Sequence, residues 1–258
     1  MDFAPSSGLT RRLLDTLRRS GSVFPQDELA ALVAAASGSS ELTELVDRRA
    51  DGVPVEVLVG YAWFGDLRIR VTSGVFIPRH RTEYLVERAL RHLSPGDRLL
   101  DLGCGSGAVA ALVAHHVGAL DITAMDIDPV AVGCARINLP PPARVVLADS
   151  PAALAPERFH VIVANLPYVP TARLPYLPRD ARDYEPLVAL DGGWDGLDPL
   201  RRVAPHLLSR LLPDGWFLVE VGEDQTEPAA AILRGVGFAA VAVSVSNDRD
   251  TNVVEARR

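Results

Sequence analysis

The residues Asn165-Leu166-Pro167-Tyr168 set a side-chain amide oxygen beside a main-chain carbonyl, with an aromatic ring close behind. Two neighbouring acceptors can hold both hydrogens of a planar NH2 group, and the ring can stack on its π face. The lone pair of an amide or aromatic amine is delocalised, so that nitrogen is a weak nucleophile. Acceptors on both N–H bonds raise its electron density and fix its direction, so positioning and electrostatics would supply the catalysis. Asn-x-Pro is also an ordinary turn opener, and the motif gains weight only from its company.

That company begins with Asp101-Leu102-Gly103-Cys104-Gly105-Ser106-Gly107. Glycines here let the backbone turn tightly and approach a ligand, and the helix expected to follow offers unpaired N–H groups. Gly103, Gly105 and Ala108 also satisfy a dinucleotide-binding pattern. Asp126, at the end of the next expected strand, suits the ribose of either NAD or S-adenosylmethionine. Asp101 tilts the balance, because a carboxylate there attracts a cationic amino-acid tail and repels a pyrophosphate. Asp149 ends a third expected strand, where it either meets an adenine amino group or caps the turn before Pro151.

Strands must carry these groups. Residues 1–52 read as short helices, with Leu13, Leu14 and Leu17 on one face, then Leu29, Leu32 and Val33, then Leu42 and Leu45. Serine-rich breaks separate them. Residues 53–75 read as a linking β-hairpin, with strands over Val55–Gly60 and Leu67–Thr72 and a turn at Gly65-Asp66. Residues 76–258 alternate strand and helix after an opening helix over Arg81–Leu93. Strands are expected at Arg98–Gly103, Ile122–Asp126, Arg144–Leu147, His160–Ala164, Trp216–Val221, Ala239–Val245 and Asn252–Ala256. Helices are expected at Ala108–Val117, Val130–Ile137, Leu200–Leu212 and Pro228–Arg234. That alternation predicts an α/β fold, a mostly parallel seven-stranded sheet with ligands at the carboxyl ends of the strands. Pro167–Asp198 breaks the rhythm. Counted through the next residue it holds Pro167, Pro170, Pro175, Pro178, Pro186 and Pro199, and it reads as a substrate-facing excursion without regular structure.

Composition narrows the chemistry. Every basic residue is arginine, which excludes a P-loop lysine and a Schiff base. The two cysteines, Cys104 and Cys134, make no disulfide framework, and no metal site is expected; the adjacent His115 and His116 would face different ways on a helix. The net charge of −7 argues against nucleic acid as a partner, and Arg11, Arg12, Arg18 and Arg19 read as a solvated helix face. The longest apolar runs fall short of a membrane span. Asp2, with no basic start and apolar stretch behind it, predicts no signal peptide and a cytoplasmic location.

From about Arg48 onward the chain resembles the HemK/PrmC family of protein-(glutamine-N5) methyltransferases, which act on the Gly-Gly-Gln glutamine of peptide-chain release factors. The resemblance rests on Arg48-Arg49-Ala50-Asp51-Gly52-Val53-Pro54 with Leu58-Val59-Gly60, and on Gly74-Val75-Phe76-Ile77-Pro78-Arg79 with Thr82-Glu83. Glu185-Pro186, Ala189-Leu190, Gly192-Gly193, Asp195-Gly196-Leu197-Asp198 and Glu220-Val221-Gly222-Glu223-Asp224-Gln225 add to it. It implies a class I, Rossmann-like methyltransferase domain using S-adenosylmethionine, with the short N-terminal helices recognising a protein substrate, a release factor or similar. It implies cofactor binding by Asp101, Gly103, Cys104, Gly105 and Gly107, by Asp126 with Ile127, by Asp149 with Ser150, and by Asn165. Asn165, Leu166, Pro167 and Tyr168 would form the catalytic motif, and Phe76, Arg79, Thr82, Tyr168 and Glu185 would surround the substrate.

Some positions depart from the family. Leu166 stands where the family has proline, which costs ring rigidity but keeps the carbonyl, and Leu166 still precedes Pro167 and stays biased to extended geometry. His80 and Arg81 stand where proline and an acid are usual, and the N-terminal region is shorter. These features describe a divergent branch. Two other readings of the same residues are methylation of an exocyclic amine in a nucleic acid or small molecule, and a cofactor-binding paralogue without activity.

Overall fold

The computed structural model describes residues 3–258; Asp2, on which the expectation of an unprocessed start rests, lies outside them. Three helices open the chain: α1 (Ser7–Arg19), α2 (Pro25–Ala35) and α3 (Ser39–Ala50). Ser6 caps α1 by accepting from the Leu9 N–H, and Pro25 starts α2 with its φ already set. Leu13, Leu17, Leu29, Leu32, Leu42 and Leu45 meet in one small core, so the apolar faces read from spacing are the faces buried. Leu14 and Val33 sit at its edge. Arg49 of α3 clamps Glu28 of α2 with two bonds of 3.0 and 2.8 Å.

The segment expected as a first hairpin strand, Val55–Gly60, is instead a helix, α4 (Val55–Val59). Val55, Leu58 and Val59 lie on the N-terminal core, a helical spacing that outweighs the apparent alternation. Gly60, at φ 78°, ends the helix in the left-handed region, its N–H bonded to the Glu56 carbonyl at 2.8 Å. The hairpin begins one residue later, pairing β1 (Tyr61–Phe64) with β2 (Leu67–Arg70) around Gly65-Asp66. Helix α5 (Glu83–Leu90) follows a 3-10 turn over His80–Thr82.

The main body alternates β3 (Arg98–Leu102), α6 (Ala108–Val117), β4 (Asp121–Asp126), α7 (Pro129–Asn138), β5 (Arg144–Leu147) and β6 (Phe159–Ala164). After the proline-rich excursion, with α8 (Arg179–Tyr184) and α9 (Leu187–Leu190), come α10 (Asp198–Arg210), β7 (Leu211–Val221), α11 (Thr226–Gly235), β8 (Ala240–Ser246) and β9 (Thr251–Arg257). The seven strands of this sheet are ordered β5-β4-β3-β6-β7-β9-β8, and β9 alone runs against the direction of the rest. Leu99 faces a core shared with α5, α6 and α7, and Leu100 and Leu102 face one shared with α10 and α11. This is the class I methyltransferase architecture. The chain leaves β3 towards β4 and later returns to its other side as β6, so the switch in strand order lies at β3, where such folds open a ligand cleft.

Residues 167–199 are more ordered than their composition suggests. A 3-10 stretch, α8 and α9 each start directly after a proline, at Pro170, Pro178 and Pro186. These prolines interrupt the periodicity because they begin helices too short to show it. The excursion closes on itself where Val169 pairs with Asp191, and the Val169 N–H reaches the Leu190 carbonyl at 3.1 Å.

Candidate active site

Register brings the site together. Leu102 of β3 pairs with Ala164 of β6 and with Met125 of β4, so the Gly103 turn, Asn165 and Asp126 all emerge at one sheet edge. Asp126 pairs with Leu147 of β5, which places Asp149 on the same edge. A cleft of about 920 Å³ opens there, lined by Asp101, Gly103, Asp126 and Asp149 on one side and by Asn165 and Tyr168 on the other.

The glycine turn is built from contacts that only glycine permits. Gly103 has φ 73°, and a Cβ there would meet Leu166 Cδ2 at 3.1 Å. Gly107, at φ 81°, leads into α6 with Leu139 Cδ1 only 3.0 Å from where its Cβ would lie. The N–H groups of Gly103 and Cys104 both reach the Met125 carbonyl, at 2.9 and 3.0 Å. Asn138 holds the turn from outside, donating to the Ser106 carbonyl at 2.8 Å while its oxygen accepts the Arg70 N–H at 2.9 Å. The hairpin is thereby tied to the turn.

The acids carry different loads. Asp101 is only 2% exposed and accepts the Ala110 N–H at 3.1 Å, capping the first turn of α6. Burial pushes its carboxyl up to about 7, with the Ala110 bond opposing and Asp126 adding to the rise. A cation at this point would restore the charged form. Asp126 is half-buried and accepts from Gly105 at 2.8 Å through one oxygen and from Asp128 at 2.9 Å through the other. Burial raises its pKa against those bonds. Each oxygen keeps a lone pair for a ribose hydroxyl. The Cys104 thiol is held protonated by burial, so it contributes shape and no nucleophile. Asp149 and Ile127 line the cleft. Ser150 does not; its hydroxyl caps the turn over Pro151–Ala153 by accepting from Ala152 at 3.2 Å. The strand-end acids and the glycine cradle therefore fit a cofactor with a cationic tail and a ribose.

On the opposite side, Asn165 donates its NH2 to the Thr82 hydroxyl at 3.2 Å. This leaves Oδ1 as its free end, and no donor among the described residues meets Oδ1 or the Leu166 carbonyl. The Leu166 side chain turns inward, 9% exposed, and packs in the sheet core. Tyr168 is pinned at both ends. Its hydroxyl donates to Glu220 Oε1 at 3.2 Å, and its carbonyl accepts from Gln225 Nε2 at 2.8 Å. Burial and Glu220 keep its phenol far from ionising, so it serves as a surface and not as a base.

The residues expected around the substrate fall into two groups. Phe76 and Arg79 line the cleft, with the Arg79 guanidinium 5.1 Å from the Phe76 ring centre. Glu185 is committed within the protein, accepting from Arg79 at 2.7 Å and from the Ile77 N–H at 3.0 Å. Burial raises its pKa, and its second oxygen is buried without a partner among the described residues. Thr82 is buried too, lines the cleft beside Asn165 and accepts from its NH2. Glu220 and Gln225 were visible in the sequence only as part of a family segment. Nothing local to them signalled a role, because their partner Tyr168 lies more than fifty residues away in the chain. His115 and His116 stack edge to face on α6, and no metal-binding cluster occurs among the described residues. No helix of the described residues is long and apolar enough to cross a membrane.

Comparison with known proteins agrees with this geometry. Residues 66–174 match the methyltransferase small domain family. The chain is 40% identical over 197 residues to a release factor glutamine methyltransferase of Geobacter sulfurreducens, covering 75% of this chain and 69% of that one. It is 41% identical over 213 residues to a release factor glutamine methyltransferase of Moorella thermoacetica, covering 80% and 74%. Among solved structures, a methyltransferase from Pyrococcus furiosus superposes with a TM-score of 0.57 at 17% identity, over 75% of this chain and 89% of that one. The ribosomal protein L11 methylase of Lactobacillus delbrueckii superposes with a TM-score of 0.55 at 20% identity, over 74% and 84%; at such identities both speak to the fold alone. At the identity and coverage of the two sequence relatives, the chain belongs to the release factor glutamine methyltransferase family.

Proposed function

We propose that this enzyme methylates the side-chain nitrogen of a glutamine in a peptide-chain release factor, with Asn165 Oδ1 and the Leu166 carbonyl holding the two hydrogens of the target amide. The observation that carries this reading is the pair of acceptors that meet no donor among the described residues at the end of β6, next to the glycine turn at the end of β3. S-adenosylmethionine, the cofactor of this family of enzymes, supplies a methyl group on a positively charged sulfur when bound.

The protein's share of the work is binding and orientation. Asp101 would hold the cationic amino-acid end beside the glycine turn, and Asp126 would hold the ribose. Asn165 and Leu166 align the amide and enrich its nitrogen, and Tyr168 and Phe76 bound the space around it. No strong base is required, because an amide nitrogen that has gained a substituent becomes acidic enough to release its proton to water. The buried Leu166 side chain keeps the carbonyl in place without the proline ring usual in the family.

The test is intact-mass spectrometry of a release factor after incubation with enzyme and cofactor. One added methyl group on the Gly-Gly-Gln glutamine is expected, and an Asn165→Ala enzyme should add it at least about 100-fold more slowly. A release factor that stays unmodified while another molecule in the mixture gains the methyl group would remove the substrate assignment.

A further inference from the structure

We propose that Arg81 is a specificity-determining residue for the protein substrate: together with Arg79 it presents a pair of guanidinium groups to oxygen acceptors of the polypeptide that flanks the target glutamine. The inference rests on the reading of a release factor as the substrate, and it names the groups that grip the chain around the reacting side chain.

The two arginines are mounted in the same way. Val75, Ile77 and Thr82 are buried and fix the segment that carries them. The Thr82 N–H bonds to the Arg79 carbonyl at 2.9 Å, closing the turn over His80–Thr82. Arg79 and Arg81 both line the cleft, and their side chains are 33% and 43% exposed, open to a substrate. Each guanidinium lies beside an aromatic ring of the cleft. Arg79 is 5.1 Å from the centre of the Phe76 ring, and Arg81 is 5.7 Å from the centre of the Tyr168 ring. Each also has a buried glutamate at its side: Arg79 gives Glu185 a bond of 2.7 Å, and Arg81 stands 3.5 Å from Glu220.

What these contacts leave unused decides what the arginines can do. A guanidinium carries its N–H donors in one plane, and a closed pair would engage both oxygens of one carboxylate. Neither pair is closed in that way. Arg79 reaches Oε1 of Glu185, and Oε2 has no partner among the described residues. Arg81 approaches Glu220 through Nε at a distance beyond the usual hydrogen-bond range, and Glu220 Oε2 likewise has no partner. Both guanidinium groups therefore keep donors for a ligand. The ring and the acid restrict their motion, so less side-chain freedom is lost when a ligand arrives. A polypeptide that delivers a glutamine side chain to Asn165 must lay its neighbouring residues against this wall. Its main-chain carbonyls and any acidic side chains are planar oxygen acceptors of the kind a guanidinium takes. Glu185 already holds Arg79 by a full bond, so Arg81 is the freer of the two and the one through which substrates are told apart.

The test uses the full-length enzyme with a release factor and labelled S-adenosylmethionine. Arg81→Gln should raise the KM for the release factor by about 10- to 100-fold, the scale for losing a hydrogen bond from a charged group. Both kcat and the KM for cofactor should stay within a few-fold. Arg81→Lys keeps the charge but loses the planar fork, so it should recover only part of the affinity. The wild-type KM for the release factor should rise with salt, and more steeply than that of the Arg81→Gln enzyme. A folded Arg81→Gln enzyme with an unchanged KM for the release factor would overturn the proposal, as would a loss that lies wholly in kcat or in the cofactor KM. Arg81 is exposed, and thermal unfolding shows that each variant is folded; should Arg81→Gln fail to fold, Arg81→Lys decides by the same criteria. Changing acidic residues near the target glutamine to their amides separates the two kinds of acceptor. A KM that rises for the wild type alone assigns the contact to a side-chain carboxylate, and one unmoved in both enzymes assigns it to main-chain carbonyls. A rise of the same size in both enzymes counts against the proposal. If the wild-type enzyme neither binds nor methylates release factors, the substrate reading fails and this inference falls with it. Normal wild-type methylation beside an indifferent Arg81→Gln enzyme removes this inference alone.

Discussion

The Tyr168 hydroxyl donates to Glu220 at 3.2 Å while the Tyr168 carbonyl accepts from Gln225 at 2.8 Å, so β7 and the turn after it grip the same residue from two directions. Gln225 also donates to the Asp195 carbonyl at 2.9 Å and accepts the Gly222 N–H at 2.9 Å. Replacing it by leucine strands three polar groups. Gln225→Leu should lower stability by about 3 kcal/mol in a denaturant titration, given about 1–3 kcal/mol for each buried group left unsatisfied and partial access of water to the opened turn.

Gly196 packs against both ends of the bond between Gln225 and Tyr168. It has φ 82°, and a Cβ there would lie 2.1 Å from Gln225 Nε2 and 2.2 Å from the Tyr168 carbonyl oxygen. Neither neighbour can retreat without breaking the bond between them. Gly196→Ala should therefore lower kcat along with stability, by more than about 2 kcal/mol for the latter, the range of strained backbone positions. Thermal unfolding and methyl-transfer assays on the same preparation check both.

Asn165→Ala removes an acceptor at the reacting group without touching the acids of the cofactor side. A loss of about 100- to 1,000-fold in kcat is expected, the scale for deleting one preorganised hydrogen-bonding group. Cofactor affinity, measured by calorimetry, should stay within a few-fold.

Leu166→Pro tests the departure from the family motif. The main-chain acceptor survives, so kcat should stay within about threefold or rise, since a rigid backbone costs less to align. The leucine side chain, 9% exposed and packed in the core, is lost. Stability should fall by about 1–2 kcal/mol, because the ring refills only part of the space. Parallel kinetics and chemical denaturation separate the two effects.

The carboxyl of Asp101 sets a pH dependence whose direction follows from burial. Its pKa rises from 3.8 to about 7 on folding. Between those values the folded state keeps a proton that the unfolded chain has released, so the unliganded protein loses stability as pH rises from about 4 to about 7, by up to about 4 kcal/mol. Above that window the loss is complete and the contribution is flat. A cationic ligand favours the charged form, so cofactor affinity should weaken as pH falls below about 7, approaching tenfold per pH unit. Asp101→Asn should flatten both curves. Denaturation and cofactor titration between pH 5 and pH 8, about the range that matters here, provide the check.

Much of this protein was decided by local chemistry. The periodicity of α6, the strand at Arg144–Leu147 and the glycine turn all follow from neighbours within a few residues, and each stands in the fold where its spacing implies. The strand-end acids Asp101 and Asp126 and the Asn165 motif were readable for the same reason: each closes a strand whose apolar run is plain in the sequence. Short elements were hidden. Val55–Val59 offers too few residues to separate a helix from a strand, and α8 and α9, of six and four residues, start directly after prolines. Only the assembled sheet could decide which partners the site residues take. Ser150, set beside Asp149 in the chain, caps a turn instead of meeting the cleft, and Thr82, far from Asn165 in the chain, accepts from its NH2. Glu220 and Gln225 acquire their roles because β6 and β7 run side by side in one register. Hydrogen bonds of about 3 Å between residues far apart in sequence depend on that register, and no local pattern encodes it.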